Sequence, residues 1–132
     1  MLVDDDPDDN FIHERAIKKN DVENIVVTKT TGMDALEYLK SNKDNKNPHP
    51  ELIFLDINMP GMNGWEFLQA YSRLDEELQS RAIIIMLTTS EYPDDVARAK
   101  TWDFVSDFIT KPLTKEIMKD ITEKYFCIEI GQ

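Results

Sequence analysis

The sequence predicts an α/β fold in which a parallel sheet is covered by helices on both faces. Three short apolar runs each end at a polar residue: Met1 to Val3 before Asp4, Leu52 to Leu55 before Asp56, and Ile83 to Leu87 before Thr88. Short apolar runs bounded by turn residues are typical of buried strands. Segments with helical spacing separate the runs, so the chain alternates strand and helix five times.

Two further apolar runs complete the predicted strands, one from Ile25 to Thr28 and one from Phe108 to Thr110. The stretch from Ser41 to Pro50 is rich in Asn, Lys and Pro, which favours a solvated loop. We interpret it as a loop and not as a linker between domains, and we find no internal repeat.

Signals for helix starts support the five helices. Proline followed by two aspartates begins the first helix at Pro7 and the fourth at Pro93, because proline suits the first turn and acidic side chains favour a helix N-terminus. Thr114 is expected to cap the fifth helix. The helical spacing of the second and third helices follows Gly32 and Gly64, and Gly64 is expected to permit the turn into the third helix.

Composition limits the classes of function. The 132 residues are 41% hydrophobic and 31% charged, as in one folded domain, so we expect a single domain over residues 1–132. A formal charge of −11 disfavours nucleic acid and anionic lipid as partners. The longest apolar run, Ala82 to Leu87, is far below the roughly 20 residues of a membrane helix. The single cysteine, Cys127, cannot form an intramolecular disulfide, so we expect a cytoplasmic protein.

Polar residues at the predicted strand ends form a candidate site. The carboxyl ends of parallel strands meet at one edge, where ligands bind such sheets, so Asp4, Asp5, Asp56 and Thr88 are expected to converge there. Clustered carboxylates repel one another unless a cation neutralises them, and Mg²⁺ prefers such oxygen ligands. Asp56 then serves as a carboxylate nucleophile, while Lys111 and Thr88 contact a phosphoryl group. Taken singly, each residue has a plainer explanation as a solvated turn, a helix cap or a strand end.

Four segments together resemble the receivers of bacterial response regulators: Val3 to Asp6, Leu55 to Gly64, Leu87 to Thr89, and Phe108 to Pro112. Their order and spacing match the family over nearly the whole chain. The resemblance implies a flavodoxin-like fold with the strand order 2-1-3-4-5. It also implies a chemotaxis-receiver-like signalling domain. Because only about 20 residues follow Pro112, enough for a fifth helix and a short tail, we expect a stand-alone receiver without its own DNA-binding or enzymatic output.

The resemblance further implies a role for each matching residue. Asp56 accepts phosphate from a histidine kinase or phosphotransfer protein. Asp5 binds Mg²⁺ directly, Asp4 acts as an outer partner, and Asn58 offers its backbone carbonyl to the metal. The phosphoryl oxygens are held by Thr88 and Lys111. Phe108 takes the place of the aromatic switch residue, and the Lys111–Pro112 bond matches the family's cis peptide.

Output is expected through contacts with an unidentified downstream protein, from a monomer or a weak homodimer. Departures from the family pattern include a first strand with only Met1 to Val3 before the acidic cluster, which suggests an earlier natural start. They also include Thr89, where many receivers have a smaller residue. His13 and His49 receive no role.

Two other functions remain open at this stage. Mg²⁺-dependent phosphatases of the haloacid dehalogenase type also use an aspartate after a parallel strand, but they usually carry a second aspartate where this chain has Asn58. A pseudo-receiver that binds partners without phosphorylation is disfavoured, because every expected acceptor-site residue is present.

Overall fold

Strands and helices alternate along the chain in the computed structural model, which describes residues 1–41, 50–74, 82–89 and 93–126. The strands are β1 (Leu2–Val3), β2 (Thr28–Lys29), β3 (Leu52–Asp56), β4 (Ile83–Thr88) and β5 (Val105–Thr110). The helices are α1 (Pro7–Asn20), α2 (Gly32–Ser41), α3 (Gly64–Tyr71), α4 (Pro93–Ala99) and α5 (Lys115–Tyr125). The interior of the predicted loop between Ser41 and Pro50, together with His49 and Cys127, lies outside the described residues.

All five strands form one parallel sheet in the order β2-β1-β3-β4-β5, which confirms the expected topology. The direction of winding reverses between β1 and β3. Ligands of such sheets bind at this reversal, outside the carboxyl ends of the strands.

The strands are apolar at successive positions because the sheet is covered on both faces. Neighbouring residues therefore enter opposite cores: Val3, Ile53 and Met86 pack on the side of α2 and α3, whereas Leu2 and Phe54 pack on the side of α1 and α5. The expected placement of helices on both faces is confirmed.

The starts of two strands, β2 and β5, differ from the predicted ones. The apolar run that starts at Ile25 does not form β2, which begins only at Thr28, and Ile25 is 75% exposed. β2 is an edge strand that pairs only with β1, and β1 itself pairs over Leu2 and Val3 alone, so the partner limits its length. β5 begins earlier than predicted, at Val105, because β4 pairs with it from Ile84 to Thr88.

Side-chain caps define the helix starts near the site. The Asp6 side chain accepts a hydrogen bond from the backbone N–H of Asp8 and begins α1, and Thr114 caps α5 as predicted. Asn63 and Glu66 form a reciprocal capping box at the start of α3.

The tight loop between β3 and α3 depends on two glycines for different reasons. Gly61 has the positive φ, of 76°, that glycine adopts readily. Gly64, predicted to supply that freedom, instead lies against backbone: a Cβ there would meet the carbonyl oxygen of Asp56 at 2.7 Å. The start of α3 is thereby held directly against the end of β3.

Candidate functional site

The carboxyl edge of the sheet gathers the polar residues that the sequence placed at strand ends. Asp4 follows β1, Asp56 ends β3, Thr88 ends β4, and Lys111 follows β5. The backbone N–H of Lys111 donates to the carbonyl oxygen of Thr88 over 2.6 Å, which joins the last two of these strand ends.

Three carboxylates at this edge are close enough to share one cation. Asp4, Asp5 and Asp56 each offer an oxygen, and these oxygens all lie within 4.8 Å of one another. Asp4 and Asp56 are buried, whereas Asp5 is exposed. A hard divalent ion fits this set, because it prefers oxygen ligands and neutralises carboxylates that otherwise repel one another.

Lys111 is the cation that the chain itself supplies to this cluster. Its Nζ donates to Asp4 Oδ2 over 2.7 Å and to Asp9 Oδ2 over 2.9 Å, and it lies 3.5 Å from Asp56 Oδ1. Burial alone lowers the pKa of the Lys111 ammonium, but its hydrogen bonds to Asp4 and Asp9 and the charge of Asp56 outweigh burial and raise that pKa. Lys111 therefore remains charged.

Asp56 is the carboxyl whose ionisation the fold perturbs most clearly. Burial raises its pKa to about 6, and the negative charge of Asp4 adds to the rise, while Lys111 opposes it. At neutral pH the carboxylate is ionised in surroundings that disfavour its charge. It is therefore suited to bind a cation or to form a bond to an electrophile.

Comparison with known proteins identifies the family. The model of the response regulator receiver domain matches residues 1–123. The chain belongs to this family. One relative is the chemotaxis protein CheY of Pseudomonas aeruginosa, which is 31% identical to this chain over 122 residues. The alignment covers 89% of this chain and 91% of that protein.

Solved structures agree with the fold. The structure of a two-component response regulator from Cytophaga hutchinsonii is 29% identical, covers 96% of this chain and 94% of its own, and superimposes with a TM-score of 0.86. The phosphorylated cyanobacterial phytochrome response regulator RcpA is 30% identical, with a TM-score of 0.79 and coverage of 97% and 93%. These comparisons do not support the haloacid dehalogenase alternative.

Other relatives are longer than this receiver. It spans 65% of the length of the response regulator Rcp1 of Synechocystis and 10% of the hybrid signal transduction histidine kinase C of Dictyostelium discoideum. Among the described residues, no helix is both long enough and apolar enough to cross a membrane.

The remaining predicted site residues lie on β4 and β5 and in the segments that follow β3 and β5. The receiver exposes Asn58 in the loop after β3, and the Lys111–Pro112 peptide bond is cis. Phe108 is half-buried on β5, paired in register with Met86 of β4 and packed against the core beside α2 and α3. Thr88 is fully buried and lies two strand positions from Met86.

Sequence reasoning gave no site role to three residues of α1, of which Asp9 and Asn10 contact site residues. Asp9 binds Lys111, and Asn10 donates through Nδ2 to the carbonyl oxygen of Asp4 over 2.9 Å. His13 is buried, and its Nδ1 has no hydrogen-bond partner among the described residues. Burial, followed by the charge of Lys111, lowers the His13 pKa, so the imidazole is neutral at neutral pH. The only signal in the sequence for Asn10 and His13 is their spacing: they lie three positions apart, which places them on one face of a helix.

Replacing Asp56 with Asn is expected to stabilise the metal-free protein at neutral pH. The folded pKa of Asp56 is about 6 against an ordinary 3.8, so the stability that its protonated form provides is lost as pH rises from about 4 to about 6. Allowing for solvent screening, Asp56→Asn should gain about 1–2 kcal/mol above that range. Urea unfolding in EDTA should show a difference between the two proteins that grows with pH; a difference that shrinks would contradict this assignment. His13 titrates in both proteins and cancels in the comparison.

Proposed function

We propose that this receiver accepts a phosphoryl group on Asp56 from a histidine kinase or phosphotransfer protein and signals through protein contacts. One observation carries the proposal: the buried Asp56 carboxylate, at the topological reversal of the sheet, lies among two other carboxylates and 3.5 Å from the Lys111 ammonium. Family membership supports the same chemistry.

Phosphoryl transfer needs a nucleophile and compensation for charge. An Asp56 oxygen forms a bond to phosphorus as the bond from phosphorus to the donor's imidazole nitrogen breaks. The ring, already protonated on its other nitrogen, keeps the electron pair of the broken bond and leaves as neutral imidazole. The Lys111 ammonium and the Thr88 hydroxyl donate to the phosphoryl oxygens, where charge accumulates. Asp5, Asp56 and the Asn58 carbonyl would hold Mg²⁺, which would supply further neutralisation of the charge on the phosphoryl oxygens.

The most direct test uses a small phosphodonor. Acetyl phosphate with Mg²⁺ should add one phosphoryl mass to the protein, measured as intact mass, and release acetate. Addition of EDTA should prevent labelling. Steady hydrolysis of a phosphoester such as p-nitrophenyl phosphate, without a labelled protein, would instead favour the phosphatase.

Asp5 is expected to contribute more to Mg²⁺ affinity than Asp4 or Asp6. Both Asp4 oxygens are already engaged, Oδ1 by the Asp6 backbone N–H and Oδ2 by Lys111, and the Asp6 side chain caps α1. Asp5 is exposed, and it is the one of the three whose side chain makes no such hydrogen bond among the described residues. Titration of Mg²⁺ against Trp65 fluorescence should show weakened binding for Asp5→Ala. Asp6→Asn, which retains the cap, serves as the control, and equal losses in the two variants would refute the ranking.

We further propose that phosphorylation shifts Phe108. A phosphoryl group on Asp56 draws the Thr88 hydroxyl toward it, and the space released beside β4 admits the Phe108 ring. A hydrogen bond to a charged group is worth about 1.5–3 kcal/mol, enough for a population change of about tenfold or more. The surface formed by α4, β5 and α5 then changes for a downstream protein. Side-chain NMR with and without beryllium fluoride should report a new Phe108 rotamer, which Thr88→Ala abolishes; an unchanged rotamer means that Phe108 is a static core residue.

A further inference from the structure

Asp9 is the one member of the Lys111 ion-pair network, among the described residues, that does not stand at a strand end. It lies in the first turn of α1, and its side chain is 32% exposed. Its Oδ2 lies 2.9 Å from Lys111 Nζ, whereas Asp56 Oδ1 lies at 3.5 Å. The ammonium thus lies closer to α1 than to the acceptor.

The hydrogen-bonding capacity of an ammonium makes this distance consequential. Lys111 has three N–H donors, and two are taken by Asp4 and Asp9. Only the third remains for Asp56, at a separation longer than an ordinary N–H···O hydrogen bond. A phosphoryl group on Asp56 brings three charged oxygens. Lys111 has more N–H donors available for these oxygens when its bond to Asp9 is released.

We propose that Asp9 is a positioning residue that tethers Lys111 toward α1 and thereby slows phosphoryl transfer to Asp56. The inference rests on the proposed acceptor function and extends it to the regulation of the rate. Asp9 acts in two ways: it occupies one N–H of Lys111, and its negative charge repels an anionic phosphodonor. Only the first depends on contact with Lys111.

Asp8 provides a matched control, because its exposed carboxylate carries the same charge one residue away and, among the described residues, is not one of the ion-pair partners of Lys111. Asp9→Asn should raise the initial rate of labelling by acetyl phosphate and Mg²⁺ by about two- to fivefold, the range expected for the loss of a partly exposed ion pair. Asp8→Asn should change it less, and only at low salt, where surface charges are poorly screened. Asp9→Glu, which keeps the ion pair, should remain close to wild type. A rate that falls in Asp9→Asn, or rises equally in Asp8→Asn, would overturn the tether.

A second measurement is independent of labelling. Crystal structures of metal-free Asp9→Asn and wild type should show Lys111 Nζ within hydrogen-bond distance of Asp56 only in the variant; an unchanged position would refute the tether even if the rates differ. Failure of the acceptor function has another signature, because wild type would then remain unlabelled or Asp56→Asn would be labelled as well. Correct folding of Asp9→Asn is checked by its urea midpoint.

Discussion

Asp56→Asn is expected to abolish labelling by acetyl phosphate and Mg²⁺, whereas the wild-type protein gains one phosphoryl mass. The nitrogen and oxygen of the Asn side-chain amide are much weaker nucleophiles than the carboxylate of Asp. The substitution also preserves the size of the side chain. The loss should be complete, since the other carboxylates of the cluster are differently placed. Asp4 is bound by Lys111 and by the Asp6 N–H, and Asp5 lies exposed outside the strand end.

Two controls make the result specific to the acceptor. Asp34→Asn removes an exposed aspartate from the first turn of α2 and should label as wild type does. Urea unfolding should show that Asp56→Asn is folded and, without metal, at least as stable as wild type. Equal labelling of wild type and Asp56→Asn would place the acceptor elsewhere, and peptide mapping would then locate it.

Gly64→Ala is expected to destabilise the protein by about 1–3 kcal/mol, the usual cost of adding a methyl group to a packed site. The new Cβ would lie 2.7 Å from the Asp56 carbonyl oxygen and 2.9 Å from Ile57 Cα. Both are backbone atoms of the β3 end, which cannot rotate away. The hydrogen bond of 2.8 Å from the Gly64 N–H to the Ile57 carbonyl oxygen holds the two segments together. Separating them also moves the acceptor, so labelling of Asp56 should slow.

Gly32→Ala is the matched control, because it also begins a helix and also meets a close contact. Its added Cβ would lie 2.8 Å from the Sδ atom of Met62, the far part of a flexible side chain that can move. Alanine is also favoured over glycine in a helix by roughly 0.5–1 kcal/mol, which offsets the crowding. Urea midpoints should fall clearly for Gly64→Ala and little for Gly32→Ala. Equal decreases would show that helix-start glycines are sensitive for a reason other than backbone contact.

The sequence alone determined the fold class and the residues gathered at the site. Strands buried on both faces must be apolar at successive positions, so the runs before Asp56 and Thr88 marked both the strands and their ends. In a parallel sheet the ends of different strands meet at one edge, so residues far apart in the chain were expected together. The strand order itself came from the family resemblance, because periodicity does not specify which strands are neighbours.

Only the tertiary structure decided the features that depend on a partner element. β2 begins at Thr28 rather than Ile25 because the short β1 beside it sets the pairing. Gly64 is required for close approach to β3 rather than for a positive φ, a distinction that the residue type does not carry. Asp9 looked like an ordinary acidic residue in the first turn of a helix, and its contact with Lys111, 102 positions away, exists only because the fold brings the start of α1 to the sheet edge at which β5 ends. Local sequence patterns encode periodicity and caps, whereas contacts between distant segments depend on how the elements pack.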